Sequence, residues 1–600
     1  MRRSRLVALT GAVALATTAL GASTATAESG SGGTTTVTAA VSTASGSGTY
    51  VVLAEPGADV EALAATLKRG GATVTSVNSA IGLVTVSTSA RGFLQRARGL
   101  SGVAAAAADG VVGRTPDAGS DRDRVLKEHL SGLGGSSERK DRDDHPKGGK
   151  TKADPLDSYL WGMDMIDAPA AHKVEMGDKR VKVGVMDTGV DAAHPDIAPN
   201  FDRRLSRNFT TDMVDIDGPC EVASCVDPAT VDDDGHGTHV AGTIAGAMNR
   251  IGVSGVAPDV GIVNVRAGQD SGYFFLSATA NALTYSGDVG LDVVNMSFYV
   301  DPWLYNCEGG APEDGPEQAA EQDLIIETMR RALGYAHRKG VTLVGALGNS
   351  HEDLSNPRTD LSSPDYPDGA AYPRTIDNDT CFDLPVEGPH VLGVSAVGPS
   401  ERKADYSNYA TDLRSGELEV AAPGGWFRDG LGTPTYRTNE NLILSAAPLH
   451  VMQAEGQVDA DGNITPDGAA LGTMKDCAVV KQGKGKREVC GYYQFLQGTS
   501  MASPHAAGVA ALAVSAHGKS SGRSGFGLWP GTVRRLVLGT ATDHACPTPP
   551  LQSYVDVGRS AEFDALCTGT ARFNSFYGEG IVNALGVVAK RHGHGWPHHR

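Results

Sequence analysis

Three short segments of the 600-residue chain set acidic, basic and hydroxyl side chains among small neighbours. They are Val185-Met186-Asp187-Thr188-Gly189-Val190, Asp234-Gly235-His236-Gly237-Thr238-His239, and Gly498-Thr499-Ser500-Met501-Ala502-Ser503-Pro504-His505. Such a set suits acyl transfer. A serine hydroxyl attacks a carbonyl when a base removes its proton, an acid orients that base, and small neighbours let a peptide backbone come close. Asp187, His236 and Ser500 supply orienter, base and nucleophile in that chain order. His239 and His505 are read as bystanders, His239 facing the interior. A zinc reading of His236-x-x-His239 fails, because the H-E-x-x-H spacing is absent.

The elements that must position these residues are strands. Val181–Met186 ends at Asp187, Asp292–Met296 ends at Ser297, and Val341–Ala346 ends near Asn349. Near-continuous apolar runs of this length read as buried strands of a parallel sheet. The polar residues fall where each strand stops, the place at which open α/β sheets bind ligands. Residues 154–590 are thus expected to form one α/β domain, an open parallel sheet with helices on both faces.

The three segments resemble the signature blocks of the subtilases, the subtilisin-like serine peptidases, whose chain order is also Asp, His, Ser. The resemblance spans roughly residues 155–590. It implies that Ser500 is the nucleophile at the head of a helix, His236 the general base and then acid, and Asp187 its orienter. Gly348-Asn349 resembles the family's oxyanion block, so the Asn349 amide and the Ser500 backbone N–H are the expected oxyanion donors. Ser297 and Phe298 on one side, and Ala346, Leu347 and Gly348 on the other, are the expected walls of a hydrophobic substrate cleft. Phe298-Tyr299-Val300 stand where the family usually has Leu-Gly-Gly, which changes the expected shape of that cleft. No cofactor is expected for catalysis. The resemblance also implies a structural calcium ion on the side chains of Asp196 and Asn249 and the carbonyls of Ala247, Ile251 and Val253, hard oxygen ligands that suit calcium. Asp232-Asp233-Asp234 is read as a solvated acidic loop. Two inserts, about 299–338 and 425–495, have no counterpart in small family members and either restrict the cleft or decorate the surface.

The N-terminus reads as an address. Arg2, Arg3 and Arg5 precede an apolar stretch from Leu6 to Leu20 and the small-residue pattern Ala25-Thr26-Ala27, so residues 1–27 are expected to be a signal peptide. Residues 28–114 form the expected propeptide, with a compact unit at about 49–114. There, strands at 49–53, 82–86 and 103–108 and helices at 59–69 and 91–98 suggest a small α+β, ferredoxin-like β-α-β-β-α-β unit. It resembles the subtilase inhibitor domain, which occupies the cleft with its own C-terminal end. Residues 115–153 are an expected cleavable linker: 17 of the 36 residues from 117 to 152 are charged, too many for a packed core. The 591–600 tail, rich in His, is expected to be disordered.

Composition narrows the partners. Residues 1–150 carry a net charge of +4 and residues 151–600 a net of −22, so nucleic acid is an unsuitable partner. No apolar run reaches the length of a membrane span. All eight cysteines lie beyond residue 151, an even number that fits an oxidising compartment. Nearness in sequence suggests Cys220–Cys225, Cys477–Cys490 and Cys546–Cys567, leaving Cys307 with Cys381, among 105 formal pairings. The expectation is a secreted, monomeric serine endopeptidase made as a self-inhibited zymogen and acting on protein or peptide substrates. A processing protease with one substrate and a catalytically silent binding protein on the same fold are the alternatives.

Overall fold

The structure is a computed structural model and describes residues 48–109, 111–114, 153–298, 304–356, 359–360, 372–482, 485–521 and 525–589. The expected signal peptide, the 115–152 part of the linker, Tyr299, Val300 and the 591–600 tail lie outside the described residues.

The N-terminal unit runs β1 (Gly48–Ala54), α1 (Val60–Arg69), β2 (Thr73–Asn78), β3 (Leu83–Thr88), α2 (Phe93–Arg98) and β4 (Val103–Ala108). Its four strands form an antiparallel sheet in the order β2-β3-β1-β4. α1 begins where the Asp59 carboxylate accepts the Ala62 N–H at 3.0 Å, an N-cap, and stops at Gly70. The period-two alternation of a strand explains why β1 is buried on both faces. Val52 and Ala54 pack with Leu63, Leu67 and Phe93 in the unit's own core. Val51 and Leu53 point the other way, into a core shared with residues 263–391. β2, the strand without an apolar run in the sequence, is a polar edge strand.

Beyond β5 (Val111–Arg114), the large domain is built on β6 (Lys182–Met186), β7 (Arg207–Asn208), α3 (His236–Ala245), β8 (Gly261–Arg266), β9 (Tyr273–Phe275), α4 (Leu276–Asp288), β10 (Val293–Met296), β11 (Asn306–Cys307), α5 (Pro316–Arg338), β12 (Thr342–Ala346), β13 (Cys381–Phe382), β14 (Val391–Val397), β15 (Val420–Pro423), β16 (Ile443–Ala447), β17 (Met474–Gln482), β18 (Gly485–Leu496) and α6 (Thr499–His517). Seven strands form one parallel sheet in the order β15-β14-β12-β10-β6-β8-β7. Alternate side chains serve opposite faces. Val183, Val185, Val293 and Val344 pack with α3 and α6, while Met186, Val294, Leu343 and Val265 pack with α4 and α5. This is the subtilisin-like α/β architecture expected, with the three predicted strands at β6, β10 and β12.

Both inserts carry structure. The first contributes the 23-residue helix α5, started by Pro316 in its first turn, which packs against β4 of the N-terminal unit. The second contributes β16 and the β17–β18 hairpin, in which Cys477 and Cys490 face each other and are bonded. It is more than surface decoration: the Ser445 hydroxyl on β16 donates to the His239 carbonyl at 2.7 Å and so holds α3. The four disulfides are Cys220–Cys225, Cys307–Cys381, Cys477–Cys490 and Cys546–Cys567, the pairs suggested by nearness. Among the described residues no helix is long and apolar enough to cross a membrane.

Candidate active site

Asp187 follows the last residue of β6, His236 is the first residue of α3, and Ser500 is the second residue of α6. α3 and α6 pack directly against each other. Gly237 permits the approach of α3 to the β6 turn, since a Cβ there would lie 2.1 Å from the Gly189 carbonyl oxygen. The His236 imidazole Nδ1 then meets Asp187 Oδ1 at 2.8 Å. The same oxygen accepts the Thr188 N–H at 2.8 Å. Burial pushes the Asp187 carboxyl up, and the neighbouring imidazole and the Thr188 amide oppose that push.

The acidic run before His236 departs from the solvated loop expected. Asp232 is fully buried. Its oxygens accept N–H groups of Gly235 and Thr238 at 3.0 and 2.9 Å, and the hydroxyls of Thr188 and Thr238 at 3.0 and 2.5 Å. A carboxylate at the start of α3 satisfies donors that the first turn leaves free and complements the helix dipole. Asp234 is nearly buried and accepts the His236 N–H at 3.0 Å. These carboxylates fix the helix end that presents His236. The capping pattern Asp232-x-x-x-x-x-Thr238 is too long for the usual N-cap signatures, which is why sequence reading missed it.

Ser500 is fully buried, and its hydroxyl donates to the Ser297 carbonyl at 3.3 Å. Pro504 stands four residues on and lacks an N–H, so the helix cannot supply the usual donor to the Ser500 carbonyl. The Ser297 hydroxyl takes that place at 3.2 Å and also meets the Ser503 hydroxyl at 2.8 Å. Asn349 follows Gly348, whose φ of +101° and contact with Asn408 exclude a side chain. The Asn349 Oδ1 accepts both the backbone N–H and the hydroxyl of Thr499, each at 2.9 Å. Those two bonds fix which end of the amide is which: the oxygen faces Thr499, and the NH₂ is left as the donating end. Thr499 is therefore an orienting residue that the sequence did not single out. His239 and His505 are buried and bonded to the carbonyls of Ile443 and Met501, at 3.1 and 2.7 Å. Burial lowers them to about 3 and about 4 respectively.

The cleft walls differ from expectation. Phe298 turns inward and stacks on Phe274 at 4.1 Å between ring centroids, and Leu347 packs in a core with Tyr305, Leu354 and Val386. Neither side chain faces a cleft. The reason is strand geometry: both residues leave a sheet buried on two faces, where a bulky apolar group finds its place inside. Ala346 ends β12 and is buried. An edge that sequence reading missed lies at β9, which pairs antiparallel with β5, with Val111 opposite Phe275 and Arg114 opposite Tyr273. Three residues carry too weak a strand signal to be found by pattern.

In the expected calcium set the two side chains are engaged with donors of the protein, while the expected ligands of Ala247, Ile251 and Val253 are their carbonyl oxygens. Asp196 is fully buried, and its oxygens already accept the Val253 N–H at 3.0 Å, the Tyr493 hydroxyl at 2.9 Å and the Asn249 amide at 3.1 Å. Val253 thus offers Asp196 a donor, and Asn249 Oδ1 accepts the Ile251 N–H at 3.0 Å. The Ala247 N–H is bonded to the Asp196 carbonyl at 2.8 Å. Asp154 and Asp476 accept further N–H groups of the same loop, from Asn249, Arg250 and Gly252. The loop is tied down by carboxylates accepting hydrogen bonds, and burial, opposed by the bonds from Val253, Tyr493 and Asn249, pushes Asp196 up to about 8.

A model of the subtilase family matches residues 178–580, a span that contains Asp187, His236, Asn349 and Ser500. Subtilisin BL of Lederbergia lenta is 30% identical over 267 residues, covering 44% of this chain and 72% of that protein. Thermitase of Thermoactinomyces vulgaris is 27% identical over 314 residues, 52% of this chain and 86% of that protein. In fold, the chain is similar to the epidermin leader peptide processing serine protease of Staphylococcus aureus, with a TM-score of 0.55 at 17% identity over 90% of this chain and 98% of that one. Fervidolysin of Fervidobacterium pennivorans gives a TM-score of 0.51 at 19% identity over 90% of this chain and 61% of that one. The chain belongs to the subtilase family of serine endopeptidases.

Proposed function

We propose that this peptidase hydrolyses peptide bonds through an acyl-enzyme on Ser500, with His236 as base and then acid and Asp187 as its orienter, and that it is exported as a self-inhibited precursor. The observation that carries the catalytic part is the 2.8 Å contact of the His236 Nδ1 with Asp187 on a helix packed against the one headed by Ser500. Held by Asp187, the imidazole keeps its Nδ1 proton and presents Nε2 as the base. Nε2 takes the Ser500 proton as Oγ attacks the substrate carbonyl, and returns it to the leaving amine. The tetrahedral oxyanion is received by the Ser500 N–H and the Asn349 NH₂, whose orientation Thr499 sets.

Support for the precursor reading comes from β5. It lies just C-terminal to the small domain and pairs antiparallel with β9 of the large domain in a two-stranded ladder, the backbone pairing by which an extended peptide is held against a strand. The small domain, with β5, is then an intramolecular inhibitor lying along the path of a substrate, and cutting between 113 and 153 releases it. Export is supported by the residue pattern of 1–27, by four disulfides that pair all eight cysteines, and by the secretory context such bonds require. A serine-directed phosphonylating reagent tests the catalytic part. The wild-type secreted protein is expected to gain one adduct at Ser500 and to lose hydrolysis of a peptide panel in proportion. Absence of the adduct in an active preparation would contradict it.

A further inference from the structure

Asp383 is a buried carboxylate to which the catalytic reading gives no task. It follows β13, which pairing with β11 and the Cys307–Cys381 disulfide hold in place, and it is 2% exposed. Its backbone is engaged: the N–H is bonded to the Glu387 carboxylate, and the carbonyl accepts the Glu387 N–H at 2.8 Å. Its side chain is not. None of the described residues gives the Asp383 carboxylate a hydrogen bond or an ion pair, whereas buried Asp232 receives two N–H groups and two hydroxyls. Buried carboxylates ordinarily receive several donors or a cation. Burial therefore pushes the Asp383 carboxyl well up, with nothing to oppose it. The surroundings are acidic as well. Desolvation, then the charges of Glu417 and Asp383, raise Glu387. Burial and then Asp383 raise the Tyr305 hydroxyl, which has no hydrogen-bond partner among the described residues. Arg374, the buried cation that holds the Tyr305 carbonyl at 3.0 Å, is committed to Asp314 and Asp360.

The carboxylate lies beside the oxyanion loop. Gly348 directly precedes Asn349, and its N–H donates to the Thr499 hydroxyl at 3.1 Å, one residue ahead of Ser500. A Cβ on Gly348 would stand 3.4 Å from Asp383 Oδ2. Asp383 thus rests against the Gly348 backbone, and glycine at that position places no side chain between them. We propose that Asp383 is a specificity residue of this peptidase, selecting substrates with Lys or Arg at P1, the residue whose carbonyl is attacked. The inference rests on the assignment of Ser500 and Asn349 as nucleophile and oxyanion donor. With the P1 carbonyl held by those groups, the P1 side chain starts two bonds from the attacked carbon, at the same loop as Gly348. Lys and Arg carry their charge on a long stem, so the head reaches Asp383 and supplies the missing donors. An apolar P1 side chain leaves the carboxyl buried and unbonded. The bulky apolar residues that would favour such a substrate are turned away, since Phe298 and Leu347 pack inward. The chain's own 115–153 linker offers nine Lys or Arg residues to a pocket of this kind.

The test uses the secreted enzyme, its active sites counted with a small serine-directed phosphonylating reagent that carries no P1 side chain. It is given fluorogenic peptides that are identical except at P1, where they hold Lys, Arg, norleucine, Phe or Glu. The expected kcat/KM for Lys and Arg is about 100-fold or more above that for norleucine, which keeps the apolar stem of Lys without its charge. In Asp383→Asn the Lys-to-norleucine ratio is expected to fall by about tenfold or more. The ratio is read within one preparation, so a change in the amount of folded protein does not alter it, and the wild-type comparison stands on the native fold alone. Equal kcat/KM for Lys and norleucine in a wild-type enzyme that forms the adduct would overturn the proposal and leave Ser500 as nucleophile. A Lys preference undiminished in Asp383→Asn would overturn it too. A protein that forms no adduct and cleaves none of the peptides fails at Ser500, and the assignment of Asp383 falls with it.

Discussion

The helix that carries Ser500 and the N-terminal domain are held by the large domain in opposite ways. α6 is apolar nearly all round and buried continuously from Thr499 to Val514, as befits a helix inside a core. Its polar head is wired to β10 and β12 through Ser297 and Asn349. The domain of residues 48–109 instead offers one apolar patch, Val51, Leu53, Leu83 and Ala107, ringed by polar contacts. Asn78 donates to the side chains of Asn281 and Thr284, each at 2.8 Å. Arg331 donates to the carbonyls of Ala54 and Ile81, and Arg98 pairs with Glu317 at 2.9 Å. An apolar centre with a polar rim is the anatomy of an interface between proteins. The small domain has its own core as well. The difference teaches that the elements carrying Asp187, His236 and Ser500 share one continuous interior, while the N-terminal domain has a core of its own and meets the large domain across a patch with a polar rim.

The contrast breaks if changes at one region are felt at the other. The largest effect is expected at the nucleophile: Ser500→Ala should lower turnover by about 10⁶-fold, a magnitude carried over from subtilisin, and should leave docking of the small domain intact. Asn349→Ala should cost about 10²–10³ in kcat with little change in KM, again on the subtilisin scale. A raised KM with kcat unchanged would mean that Asn349 binds substrate and does not act on the transition state.

Effects at the interface are smaller and reversible. Asp109 ends the small domain and accepts the Ser277 hydroxyl at 2.7 Å at the start of α4. Burial, opposed by the bonds from Ser277, raises its carboxyl to about 6. A group whose pKa is raised on docking favours the docked state below its free pKa and loses that advantage as pH rises through about 6. Binding of the separated small domain is therefore expected to weaken about tenfold to a hundredfold between pH 4 and pH 7, and Asp109→Asn should flatten that dependence. Arg331→Ala should weaken binding by about tenfold through two orphaned carbonyls. Arg98→Ala should change it by less than about fivefold, since the pair is exposed. Catalysis by the mature enzyme is expected to rise from about pH 6 to 8, as a neutral imidazole is needed for the base.

The site was legible where chemistry forces residue types into short blocks. Asp187, His236 and Ser500 each announce themselves among glycines and small residues that only close packing explains. β6, β10 and β12 were legible because strands buried on both faces read as unbroken apolar runs. What stayed hidden depends on distant partners. Asp232 looks like a surface acid until Thr188, Gly235 and Thr238 are seen around it. Phe298 looks like a cleft wall until Phe274 is found beneath it.

The most direct measurement is the intact mass of the secreted wild-type chain beside that of Ser500→Ala. The account predicts a wild-type chain lacking the small domain and cut between 113 and 153, with the mutant retaining that region. Two chains of equal length would contradict self-processing by Ser500.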